Sequence, residues 1–175
     1  TRINVVLICG GEWHDIDFAR SELLKLLGED ERIRTHVFEN YDHAHNALSD
    51  ADFLVTFTSN VVASLETQQA LRTFVEQGGR WFALHGTNSF VRFLSPDGAD
   101  YGSLLVDAPR WAPLMMETLG SQFIAHPPIG PYRVEVGQPE HPLVNDIEPF
   151  ETTDELYLLE THGDLEVLLY TEFEG

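Results

Sequence analysis

The run Ile3-Asn4-Val5-Val6-Leu7-Ile8-Cys9, followed at once by Gly10-Gly11, constrains the fold of this chain more than any other feature. A strand that is apolar on both of its faces has no solvent side, so it belongs inside a parallel sheet with layers packed above and below. The next segments suit such a sheet. Apolar residues recur at helical spacing from about residue 18 to residue 27 (Phe18, Leu23, Leu24, Leu27), with Gly28 as a stop. Residues 34–38 and 52–58 (DFLVTFT) read as the second and third strands, separated by a polar connection over residues 41–50. Ser64 is placed to cap a helix that runs through Phe74 and Val75 and closes at Gly78-Gly79, and residues 80–85 (RWFALH) read as a fourth, buried strand. Strands alternating with helices over the first 90 residues predict a doubly wound α/β sheet.

Beyond residue 90 the pattern loosens. Residues 95–113 carry Pro, Gly and Asp at loop frequency and read as an excursion from the sheet. A short helix is expected at 114–119 and later strands at 131–136, 155–160 and 166–171, where antiparallel additions are plausible.

Charge narrows the function classes. Ten basic side chains stand against 29 acidic ones, a formal net charge of −19, which repels polyphosphate and makes nucleic acid or an anionic membrane surface a poor partner. Such acidity also suits a high-salt habitat, although an ordinary acidic protein is the simpler reading. The single lysine, Lys25, falls on the outward face of the first helix, so Schiff-base chemistry lacks a candidate. Cys9 has no partner for an internal disulfide, lies in the apolar end of the first strand, and reads as an inert packed thiol. No apolar run reaches the roughly 18 residues of a bilayer span, and residues 1–9 are too short for a signal peptide, so a soluble, cytoplasmic protein is expected. With 43% hydrophobic content in 175 residues, one domain with its own core is expected.

In an open α/β sheet the functional crevice lies beyond the carboxyl ends of the strands. Histidines gather there. Trp13-His14-Asp15 follows the first strand, His85-Gly86-Thr87-Asn88 follows the fourth, and His126-Pro127-Pro128 precedes a later one. Asp154 and Glu155 reach the same edge if their strand runs antiparallel. Neutral imidazoles and a carboxylate are what a zinc site or an acid/base pair requires. Singly, each such histidine reads as a hydrogen-bonded structural residue; jointly, they read as a shared site. The remaining histidines carry less: His36, His43 and His45 as solvated groups in a polar region, His141 before Pro142 with a turn role weighed equally against a functional one, and His162 in a hairpin turn with Gly163. Gly10-Gly11 lacks both G-x-G-x-x-G and a P-loop lysine, so nucleotide binding gains no support.

Taken in order, GGEWHD (10–15), FVEQGG (74–79), LHGTNSF (84–90), LGSQFIAHPP (119–128), His141-Pro142 and DELY (154–157) resemble the trehalose-utilisation-protein-like (ThuA-like) family over nearly the whole chain. The resemblance implies a flavodoxin-like, class I glutamine-amidotransferase-like three-layer sandwich with a mostly parallel central sheet. It does not carry amidotransferase activity with it, because His85 stands where those enzymes present a cysteine nucleophile. It implies a role in catabolism of trehalose or related disaccharides through keto-sugar intermediates, and His14, Asp15, His85, Gly86, His126, Glu155 and Tyr157 match the family's recurring positions. Two departures stand out. The 95–113 excursion is longer than usual and could form a lid or an oligomer contact, and the chain stops at Gly175 where relatives continue, so the C-terminal end of the family domain is expected to be missing.

The expectation is therefore a sugar-processing protein, of hydrolase, lyase or isomerase type if catalytic, with His85 and Glu155 as catalytic groups. Trp13, His14, Asp15, Gly86, Asn88, His126 and Tyr157 would bind substrate, and His14, His85 and His126 would ligate a divalent metal such as zinc if one is used. Asp15 and Asp154 would orient imidazoles, and Trp13 and Tyr157 would stack on a sugar ring or serve as core aromatics. The partner expected is a neutral small-molecule carbohydrate, with no nucleic acid and no membrane, and with a homo-oligomer possible. The alternative is a non-catalytic carbohydrate- or metal-binding module on the same scaffold, and a third reading is a structural or regulatory subunit.

Overall fold

A computed structural model describes residues 2–93 and 106–173. Its centre is a four-stranded, fully parallel sheet in the order β2-β1-β3-β4, formed by β1 (Ile3–Gly11), β2 (Ile33–Phe38), β3 (Phe53–Ser59) and β4 (Arg80–Leu84). From β1 the chain winds first to one side and then to the other, so the order reverses between β1 and β3, where an α/β crevice opens.

Alternation along β1 explains why nearly every residue in it is apolar. Val5, Leu7 and Cys9 pack with Val55 against Leu23 and Leu27 of helix α1 (Ile16–Leu27). Val6 and Ile8 face the opposite layer, joining Leu54, Leu71, Phe74, Met115 and Met116. That layer holds α2 (Tyr41–Ala44), α3 (Leu65–Glu76) and α4 (Pro113–Leu119). The result is a three-layer α/β sandwich. Fully burying one such side chain contributes roughly 1.5–3 kcal/mol, which is why a two-faced apolar strand is a strong fold determinant.

Local signals set the helix ends. The Asp15 carboxylate accepts the Phe18 N–H at 2.9 Å and starts α1, and the Ser64 hydroxyl accepts the Thr67 N–H at 3.3 Å and starts α3. α4 closes at Gly120, whose φ of 80° is a left-handed cap.

Several expectations require correction. Phe18 and Leu24 are exposed, because the buried stripe of α1 runs through Ile16, Leu23 and Leu27 instead. The fourth strand is not buried: β4 pairs only with β3 among the described residues, and Phe82 is 51% exposed. Residues 41–50 form α2 and a 3-10 turn rather than a solvated connection; Tyr41 is fully buried, and His45 is half-buried beside Thr67. His36 and His43 are exposed as expected. Most of the 95–113 excursion lies outside the described residues, whose nearest parts form the short pair β5 (Arg92–Phe93) and β6 (Val106–Asp107).

The second half is antiparallel. β7 (Ser121–Ala125) pairs with β10 (Leu158–Thr161), while β8 (Gly130–Val136) pairs with β9 (Phe150–Asp154) and β11 (Leu169–Tyr170). The strand expected at 155–160 is thus split: Asp154 ends β9, and residues 155–157 form the break before β10. The strand expected at 166–171 shrinks to two residues. His162 does not close a hairpin, since β10 and β11 pair with different strands.

Candidate active site

Two excursions from the parallel sheet and one break in the antiparallel half meet at the carboxyl edge. After β1 the chain turns through Trp13, whose φ is 65°, and presents His14. After β4 it enters a 3-10 turn (His85–Asn88) in which His85 itself has φ 46°. Left-handed backbone at a non-glycine residue is costly and persists where surrounding contacts impose it.

Those contacts are visible beneath His85. The partly buried Trp81 indole N–H donates to Thr56 Oγ1 at 2.9 Å, the Thr56 and Thr87 hydroxyls are 3.0 Å apart, and Thr87 Oγ1 donates to the Leu84 carbonyl at 2.8 Å. Alongside, the Tyr41 hydroxyl pairs with Thr58 Oγ1 at 2.7 Å. Each hydroxyl in the Trp81–Thr56–Thr87 chain both receives and gives, so the turn carrying His85 is tied to β3 by satisfied buried groups. Gly86 belongs to the same device: a Cβ there would stand 2.7 Å from the Thr58 carbonyl oxygen.

The break at 155–157 supplies the third component. Glu155 Oε2 lies 3.4 Å from His85 Nε2, and Glu155 Oε1 lies 3.9 Å from His126 Nε2. The Tyr157 hydroxyl is also 3.4 Å from His85 Nε2. The His14 and His85 rings meet edge to face with centroids 4.6 Å apart. One ligand atom from each of His14, His85 and Glu155 falls within 4.8 Å of the others, and all three side chains are partly buried. Two imidazoles and a carboxylate are a donor set that suits zinc or a divalent iron-type cation with open positions for substrate.

Electrostatics fit this use. Burial, and secondly the neighbouring His14, hold the His85 imidazole below its ordinary pKa despite the opposing pull of Glu155 and Asp154, which favours the neutral ring needed to ligate or to accept a proton. Burial, then the Glu155 and Asp154 carboxylates, push the Tyr157 phenol above its usual value, so it keeps its proton as a donor.

Of the residues expected at the site, His14, His85, Glu155 and Tyr157 come together, with His126 on the far side of Glu155. His126 is outside the closest trio, and its Nδ1 lies 2.8 Å from the Pro127 carbonyl oxygen. Asp15 and Asp154 are not seen bonded to imidazoles: Asp15 caps α1, and Asp154 Oδ1 accepts the Glu155 N–H at 2.8 Å. Asn88 donates to Ser121 Oγ at 2.8 Å, tying the His85 turn to β7. Trp13 is 47% exposed at the rim. Sequence patterns did not single out two aromatic residues that belong here. Phe57 stacks with His85 at 5.9 Å, and Phe123 packs 4.5 Å from the Tyr157 ring. Phe57 occupies the carboxyl end of β3, so the rule that singled out His14 and His85 could have found it; Phe123 is brought in only by β7–β10 pairing.

The family model described as "ThuA: Trehalose utilisation" matches residues 5–175. The chain belongs to the ThuA family. A ThuA-like protein from Bacteroides uniformis ATCC 8492 superposes with a TM-score of 0.74 at 18% identity, covering 98% of this chain and 68% of that one. A second ThuA-like protein, from Parabacteroides merdae ATCC 43184, gives a TM-score of 0.64 at 16% identity with the same coverages. At these identities the likeness establishes the ThuA-like fold, and no curated protein matches the chain. Among the described residues, no helix is long and apolar enough to cross a membrane.

Proposed function

We propose that this ThuA-family chain binds and processes a neutral carbohydrate, a trehalose-type disaccharide or its keto-sugar, in the histidine-lined crevice at the carboxyl edge of the sheet. The observation that carries the reading is the convergence of His14, His85 and Glu155, with ligand atoms all within 4.8 Å of one another, from three distant segments. Glu155 and neutral His85 exchange a proton with a sugar hydroxyl or with the carbon beside a carbonyl, and Tyr157 donates a hydrogen bond to the developing oxyanion. A divalent cation held by His14, His85 and Glu155 would take up those same lone pairs, so when bound it would supply Lewis-acid polarisation of a carbonyl or hydroxyl oxygen in place of their proton exchange. Among the described residues, no lysine or arginine lines the groove that holds His14 and His85, and this, with the net charge of −19, disfavours an anionic substrate.

Titration calorimetry with trehalose and 3-keto-glucosides, followed by product analysis, tests the proposal. Turnover in the wild type that disappears in His85→Ala while folding stays cooperative is the expected result. Binding without conversion would replace catalysis with a carbohydrate-binding module, and absence of any sugar binding would sink both.

A further inference from the structure

A cavity of about 620 Å³ lies beside the crevice, on the antiparallel sheet formed by β8, β9 and β11. Its apolar walls include Tyr132, Tyr170 and Phe173, and its charged groups are Arg133, Glu135, Asp154 and Glu172. Asp154 lines both this cavity and the groove that holds His14 and His85, so the two spaces share a wall.

We propose that this cavity is a second ring subsite, which receives the far glycosyl unit of a disaccharide whose other ring sits at His85 and Glu155. The inference rests on the carbohydrate reading of the crevice. Register places the parts: Tyr170 lies opposite Glu135 across β11 and β8, and Asp154 lies opposite Gly130 across β9 and β8. Tyr170 and Phe173 are each 46% exposed, leaving ring surface for the C–H face of a pyranose.

Charge selects the ligand class. Arg133 Nε donates to Glu135 Oε1 at 2.6 Å, so the guanidinium is already neutralised and makes no anion clamp, yet its outer N–H groups remain fit for hydroxyl oxygens. One Asp154 oxygen takes the Glu155 N–H and the other can accept a sugar hydroxyl. Burial, and secondly Asp154, raise the Tyr132 phenol pKa, so that group stays a donor. Carboxylate acceptors in excess of the one guanidinium, beside aromatic surface, suit a neutral polyol whose hydroxyls donate and repel a phosphate.

Calorimetry on the full chain, comparing trehalose with methyl α-glucoside, tests the subsite. The wild type is expected to bind the disaccharide about tenfold more tightly, the equivalent of one additional well-packed ring contact. Tyr132→Ala and Phe173→Ala should each erase most of that preference while leaving the monosaccharide affinity unchanged, and Tyr132→Phe, which keeps the ring but loses the donor, should retain only part of it. Phe173→Ala changes a half-exposed side chain outside the strands, so it keeps the test open if Tyr132→Ala misfolds. Equal affinity of the wild type for both sugars, or a preference that survives both alanine variants, overturns the subsite and leaves the crevice reading standing. Absence of binding by either sugar overturns both.

Discussion

His85 Nε2 sits 3.4 Å from Glu155 Oε2, although the two residues belong to different halves of the fold and are 70 positions apart in the chain. The same nitrogen is 3.4 Å from the Tyr157 hydroxyl, so one imidazole atom faces a carboxylate acceptor and a phenol donor. Such an atom can pass a proton either way, or give its lone pair to a cation.

Zinc or cobalt titration discriminates the ligands. His14→Ala, His85→Ala and Glu155→Gln should each weaken binding by at least about 100-fold, since the loss even of groups that merely orient metal ligands costs about 10–100-fold. His126→Ala, outside the closest trio, should cost less than about tenfold. Equal losses at His126 and His85 would redraw the site, and no metal uptake by the wild type would remove the cation from it.

Acid should loosen the fold through His85. Burial holds its folded pKa below the unfolded imidazole value of about 6.5, so the folded state binds fewer protons than the unfolded chain. The contribution is fully present above the unfolded value and is lost as pH falls through the folded one. Urea midpoints at pH 7.5 and pH 5 should therefore fall more steeply for the wild type than for His85→Gln, which lacks the titrating ring. Identical slopes would mean that His85 titrates as it does in water.

The buried hydroxyl chain under His85 predicts a contrast between two small substitutions. Thr87→Val keeps shape but leaves the Leu84 carbonyl and the Thr56 hydroxyl short of a partner, a loss of about 1–3 kcal/mol. Thr87→Ser keeps the hydroxyl and should cost clearly less. Denaturant curves measure both values, and the His85 ring resonances should shift in the valine variant more than in the serine one.

Cys9 should stay silent toward a thiol reagent in the folded protein. It is fully buried, and that burial, against a smaller pull from Arg20, raises its thiol pKa. Disulfide-exchange dye should report essentially no free thiol under native conditions and one per chain in denaturant; rapid native labelling would contradict the packing of β1.

The parallel sheet was legible because its signals are local. A two-faced apolar run, Asp15 and Ser64 before helical spacing, and glycines after it each act within a few residues. β4 misled for a physical reason: RWFAL has the composition of a central strand, and composition does not say whether a neighbour pairs on the other side. Residues 155–160 misled similarly, because the break at 155–157 follows from two strands joining different partners.

The amino-acid order alone determined that histidines would gather at the carboxyl edge, since the position of a residue after a strand is a matter of counting. Tertiary structure decided which of them meet. Distances among His14, His85, His126 and Glu155 depend on how the antiparallel half docks on the sheet and on the φ of 46° that the buried hydroxyls under Thr87 hold at His85. These are long-range constraints, and no local pattern carries them.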